Sequence, residues 1–113
     1  MGAQDHTSLF ELLPPKETGI HFKNTIKDTP EANILIYANF YGGAGVGVGD
    51  FNNDGRPDLY FAGNMEEDRL YLNQGDFRFK DVSETAGLVY DGGWSTGVTV
   101  ADVNNDGHLD IYV

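Results

Sequence analysis

Cysteine is absent, which excludes disulfides, zinc–thiolate centres and thiol nucleophiles without fixing the redox compartment. Basic residues are scarce: seven lysines and arginines stand against eighteen acidic residues, a net charge of −11. So acidic a surface repels the phosphates of nucleic acid and anionic lipid, so neither is an expected partner. No apolar run approaches the ~18 residues of a membrane-crossing helix, and no membrane insertion is expected. No secretion signal is present. Met1-Gly2-Ala3 reads as a cloned start ahead of a mature domain, the natural address lying outside this stretch. Only four prolines accompany fifteen glycines, which favours tight turns over polyproline or collagen-like structure. The 113 residues, 40% of them apolar and 12% aromatic, suffice for one packed domain or part of a larger one.

The acids are unevenly placed. Asp50, Asp54 and Asp58 share one short window, and Asp102, Asp106 and Asp110 share another. Carboxylates packed this closely repel one another unless a cation neutralises them. Both windows belong to an internal repeat. The stretch from Gly45 to Tyr60, GVGVGDFNNDGRPDLY, aligns with Gly97 to Tyr112, GVTVADVNNDGHLDIY; ten of sixteen positions are identical. The offset of 52 residues falls at about the fifty-residue period of propeller blades and solenoids. A weaker echo relates Phe79 to Tyr90 with Phe10 to Phe22, through a Phe, a Glu-Thr pair and a Gly-apolar-x-aromatic ending.

After residue 40 the chain alternates short apolar runs with turn residues, a β pattern. Val46 and Val48, spaced by glycines, predict a thin strand for a crowded location. Leu59 to Ala62 predicts a second strand, Arg69 to Asn73 a third, and Phe77 to Val82 a fourth after a hairpin turn at Asn73 to Asp76. Four antiparallel strands in this length make one propeller blade, so the fold class is all-β, with one full blade plus partial blades. The boundaries follow. Residues 1–8 are a disordered or cloning-derived terminus, and 9–44 an outer strand near Phe10 with an insert. Residues 45–90 form the complete blade and 91–113 the truncated start of the next. Asp28 to Ala38 is expected to hold a short helix or an insert.

The pattern D-x-N-x-D-G-x-x-D carries the chemistry. Its first copy offers side-chain oxygens from Asp50, Asn52, Asp54 and Asp58, and the backbone carbonyl of Arg56 at position 7. The second offers Asp102, Asn104, Asp106, Asp110 and the carbonyl of His108. Gly55 and Gly107 at position 6 allow the sharp turn around a cation. An all-oxygen donor set selects Ca²⁺ over zinc or copper, and a flexible, many-liganded loop suits it better than Mg²⁺. The expected cofactor is two calcium ions, one per loop. A helix–loop–helix EF-hand does not fit, because position 12 is Phe61 or Val113 rather than Glu and the flanks cannot be helical. The bland alternative is a pair of Asn/Asp-Gly surface turns, and in-register duplication argues against it.

The repeat resembles the FG-GAP/VCBS class of propeller blades, as in integrin α-subunit heads and the cartilage acidic protein/UnbV family. The carriers are Gly45 to Gly55, then Arg69-Leu70-Tyr71-Leu72-Asn73, then Phe79 to Val82 and Ala86-Gly87-Leu88. The resemblance covers Phe40 to Val113 and extends to Phe10 through Phe22. It implies a calcium-stabilised blade of an extracellular, cell-surface or periplasmic binding or adhesion protein, with a protein or glycan as ligand. Such propellers close with several blades, whereas this chain supplies one and part of a second.

No catalytic constellation emerges. His6 and His21 have no Ser or Cys in register, and no nucleophile elbow, phosphate loop or zinc helix appears. Carboxylates that ligate calcium are not free for glycoside hydrolysis, so the chain is not expected to be an enzyme. A non-catalytic propeller domain of a polysaccharide-active enzyme is the alternative, as is a fragment that functions on assembly. Trp94 reads as blade-junction packing or, less readily, as a sugar platform, and Glu66-Glu67-Asp68 as a solvated loop tip more than a second metal site. The apolar edge of Val98, Val100, Ile111 and Val113 predicts a homo-oligomer built by strand complementation, Phe10 to Leu13 of one copy completing the partial blade of another.

Overall fold

The computed structural model describes residues 8–88 and 91–113. The expected disordered terminus, apart from Ser8, lies outside them, as do His6 and the Val89-Tyr90 end of the weaker echo. One helical turn, α1 (Pro15–Thr18), precedes six strands: β1 (Val46–Gly49), β2 (Asp58–Phe61), β3 (Arg69–Gly75), β4 (Arg78–Asp81), β5 (Thr99–Ala101) and β6 (Asp110–Tyr112). The first four form an antiparallel meander in the order β1-β2-β3-β4, and β5 pairs with β6 in a second sheet. The repeat survives down to the register. Gly47 opposes Tyr60 and Val48 opposes Leu59; 52 residues on, Thr99 opposes Tyr112 and Val100 opposes Ile111. The chain thus builds one four-stranded blade-like sheet and the first two strands of its repeat.

Glycine in β1 is a matter of space. A Cβ on Gly47 would lie 2.6 Å from Val98 Cγ1 and 2.9 Å from Val100 Cγ2. One on Gly49 would lie 2.9 Å from both Leu109 Cδ1 and Val100 Cγ1. The second sheet therefore seats its valines directly on the backbone of the first, as the thin, crowded strand read from the sequence requires. The opposite side of β1, carrying Val46 and Val48, is exposed. The buried apolar core is small: Phe40, Tyr60, Ala62, Leu70 and Tyr71. Phe22 from the N-terminal segment stacks on Phe61 with ring centres 5.1 Å apart, and Tyr71 meets Phe61 edge-on at 5.7 Å.

Three local expectations change. The β3–β4 turn lies later than Asn73 to Asp76, because Asn73 is held in the ladder. Its N–H donates to Asp58, its side-chain amide donates to the Pro57 carbonyl, and its Oδ1 accepts from Gly75. The register shifts between Asn73 and Gly75, and the reversal falls on Asp76 and Phe77, both with positive φ. Phe77 is thus an exposed turn residue rather than the start of β4. The expected outer strand near Phe10 has no ladder partner among the described residues, and Leu9, Phe10 and Leu12 are exposed. Asp28 to Ala38 forms successive turns instead of a helix, with Asn33 bonding back to the carbonyls of Thr29 and Pro30.

The weaker echo also has a structural counterpart. The turn of α1 ends at Gly19 (φ 79°), and the turn after β4 ends at Gly87 (φ 77°). In both, a backbone N–H reaches the carbonyl four residues back, Thr18 to Pro14 and Ala86 to Val82. Trp94 packs between Phe40, 5.3 Å away, and Tyr37, 5.7 Å away, both from the segment that precedes β1. Nearby, the fully buried Asn64 joins three segments. It exchanges bonds with Asn24, and its Nδ2 donates to the carbonyls of Gly43 and Ser95. No buried side-chain nitrogen or oxygen among the described residues lacks a partner.

Candidate metal centre

The two Asp-rich windows, loop 1 (50–58) and loop 2 (102–110), adopt one conformation. Position 4 is left-handed in both, Asn53 at φ 56° and Asn105 at φ 58°. Position 6 is also left-handed, Gly55 at φ 83° and Gly107 at φ 87°, with no neighbour near a built Cβ. At these glycines backbone conformation, not space, demands the residue. Asp50 accepts from the N–H groups of Asp54 (3.0 Å) and Gly55 (2.7 Å), and Asp102 from those of Asp106 (3.1 Å) and Gly107 (2.8 Å). Asp54 accepts from the Arg56 N–H and from Asn52, and Asp106 from the His108 N–H and Asn104. The carboxylates thus wrap the chain around the positions at which a cation loop gathers its oxygens. The Gly107 N–H holds the Asp102 carboxyl below the usual carboxylate range, and the His108 N–H does the same for Asp106.

Position 9 separates the loops. Asp58 is wholly buried, its two oxygens accepting from Phe51 N–H (2.9 Å) and Asn73 N–H (2.8 Å). Asp110 is half-buried and accepts from Val103 N–H at 3.0 Å. No basic side chain pairs with Asp58 among the described residues. A buried carboxylate with amide donors but no countercharge is costly, and a cation at the loop would remove that cost. Among the described residues no three Asp, Glu or His side chains close on one point as a ready-made nest. A hard cation held here would need mixed oxygen donors, carboxylate, Asn amide oxygen and backbone carbonyl. The position-7 side chains differ between the loops. Arg56 approaches Asp54 at 3.6 Å in a largely exposed pair, worth little. His108 Nδ1 lies 2.8 Å from Asn53 Nδ2, across to the other loop.

Sequence reasoning missed Asp68, Asn64 and Asn53. Asp68 is no solvated tip: it accepts from Tyr60 OH (2.6 Å), Gly63 N–H (2.8 Å) and Ser95 OH (3.1 Å). Burial and then the Asp68 bond push the Tyr60 phenol far upward. The repeat itself held a signal, since Asp68 lies outside the duplicated window and was free to serve a local role. A cleft of about 350 Å³ beside it is lined by Tyr60, Asp68, Arg69, Ser83 and Ser95. Ser83 there is a cap: its hydroxyl donates to Asp81 and accepts from the Leu70 N–H.

The comparisons with known proteins agree with this architecture. A family model described as an FG-GAP-like repeat matches residues 50–113, from the first residue of loop 1 through β6. Cartilage acidic protein 1 of Xenopus tropicalis is 35% identical over 74 residues, covering 64% of this chain and 11% of that protein. Its Homo sapiens counterpart is 33% identical over 81 residues, covering 72% of this chain and 12% of that protein. The chain thus spans about a tenth of the length of the curated relatives it matches. No solved structure matches it. A duplicated Asp-rich loop between paired strands, together with a family match over more than half of its length, shows that the chain belongs to the FG-GAP-like repeat family.

Proposed function

We propose that the chain is a calcium-binding propeller blade module, non-catalytic, within a binding or adhesion protein facing the extracellular or periplasmic medium. The observation that carries this reading is Asp58, a fully buried carboxylate without a basic partner among the described residues, at the end of an all-oxygen loop. The proposed ligands of loop 1 are Asp50, Asn52, Asp54, Asp58 and the Arg56 carbonyl. Those of loop 2 are Asp102, Asn104, Asp106, Asp110 and the His108 carbonyl. The cation neutralises the loop and fixes the β1–β2 and β5–β6 connections, a structural rather than chemical service.

An address outside the cytosol is supported by the chemistry, since millimolar calcium there fills even weak sites. The relatives' printed name adds support, describing an acidic protein of cartilage. Ser83 serves as a cap and the loop acids are tied to backbone N–H groups, which supports a non-enzymatic role. Among the described residues Leu9, Phe10, Leu12 and Leu35 are exposed, which supports further packing partners, of which a second copy is one. Titrating Ca²⁺ into chelated protein in a scanning calorimeter tests the reading. Each filled site adds about 2.7 kcal/mol at a hundredfold excess over Kd, and an unchanged melting temperature would sink it.

A further inference from the structure

We infer that the two loops bind cations cooperatively, coupled through a contact of position 4 of loop 1 with position 7 of loop 2 and a contact of the residue before loop 1 with position 8 of loop 2. The inference rests on the calcium reading above and adds to it the regulation of one site by the other. Two contacts carry it. Asn53 Nδ2 lies 2.8 Å from His108 Nδ1, 55 residues away in sequence. Next to it, Leu109 Cδ1 lies 2.9 Å from where a Cβ of Gly49 would stand, so Leu109 rests on the backbone immediately before Asp50.

Each partner is one step from a proposed ligand. Asn53 sits between Asn52 and Asp54, and its left-handed backbone is part of the loop 1 turn. His108 contributes its own carbonyl to loop 2, and Leu109 lies between that carbonyl and Asp110. Ordering loop 1 around a cation fixes Asn53 and Gly49, and through them the His108-Leu109 segment that loop 2 must otherwise order by itself. The second cation then meets a loop already partly arranged, which is positive coupling. The repeat supplies an internal contrast: Arg56, at position 7 of loop 1, turns to its own Asp54. Position 7 thus turns to its own loop in loop 1 and across to the neighbouring loop in loop 2.

Calorimetric Ca²⁺ titration of single-loop variants tests the coupling. Asp50→Asn disables loop 1, and the affinity of loop 2 is expected to fall about fivefold, the factor that one net hydrogen bond is worth. Asn53→Gly keeps the left-handed backbone but deletes the strut, and on this background the Asp50→Asn effect is expected to shrink below twofold. A measurement independent of any folding defect is the His108 ring resonance in Asp102→Asn protein. Filling loop 1 alone shifts that resonance when Asn53 is present and leaves it in place in Asn53→Gly. Loops that bind calcium with no mutual effect overturn the coupling and leave the calcium reading standing. No binding at either loop overturns both.

Discussion

Asp58 and Asp110 occupy the same repeat position in different surroundings, so their truncation weighs the environment and not the residue. Asp58→Ala strands two N–H groups, those of Phe51 and Asn73, which the carboxylate meets at 2.9 and 2.8 Å. An unsatisfied buried donor costs about 1–3 kcal/mol, and both donors are partly buried, so about 3 kcal/mol is expected without calcium. Asp110→Ala strands one exposed N–H, that of Val103, and is expected to cost about 0.5–1 kcal/mol. Urea denaturation of both variants in chelator, read by tryptophan fluorescence and circular dichroism, gives the two values. Repeating it in saturating calcium should widen the loss at both positions, because each variant then also forfeits a cation ligand. Equal costs at 58 and 110 in chelator would refute the argument that burial and the second hydrogen bond make Asp58 the heavier residue.

Asp54→Ala is expected to weaken calcium strongly at loop 1 and at loop 2 by no more than the about fivefold coupling, whereas Arg56→Ala changes affinity little, the proposed ligand at position 7 being the backbone carbonyl. Equal losses in the two variants by calcium titration would contradict the ligand assignment. Gly47→Ala places a methyl 2.6 Å from Val98 Cγ1 and should cost about 1–3 kcal/mol by overpacking the β1–β5 contact. Val46→Ala on the exposed side of the same strand should change stability by no more than about 0.5 kcal/mol in the same melt. Sedimentation equilibrium with calcium present is expected to show a homo-oligomer; a cooperatively melting monomer of 12.4 kDa would count against it.

Much of the sheet was legible because glycine and asparagine mark conformations that few other residues accept. Gly55 and Gly107 announce left-handed turns, and the alternating valines announce the strands those turns join. The duplicated window made β5 and β6 the counterparts of β1 and β2, which length or propensity alone would not have done. The β3–β4 turn was misread because Asn73, a common turn residue, is held by Pro57 and Asp58 from another strand. Phe10 to Leu13 has strand composition, but a strand is a pairing, and no described partner offers a ladder. In the candidate site the loop residues were legible as a pattern. The difference between Asp58 and Asp110 was not, because it arises from β3, which covers the first and has no described counterpart over the second. The approach of Asn53 to His108 depends on how two sheets stack, and no local periodicity encodes that.

Asn64 has a consequence for how the molecule breathes. A single side chain, buried and fully bonded, fastens the segment at Asn24, the end of the insert at Gly43 and the connection to the second sheet at Ser95. The Ser95 N–H returns the bond to the Gly63 carbonyl. Freeing any one of these segments breaks the latch for the others, so they open as one cooperative unit rather than fraying singly. Amide exchange of this region is then paced by the latch, and a protease that finds the insert also finds the linker between the sheets.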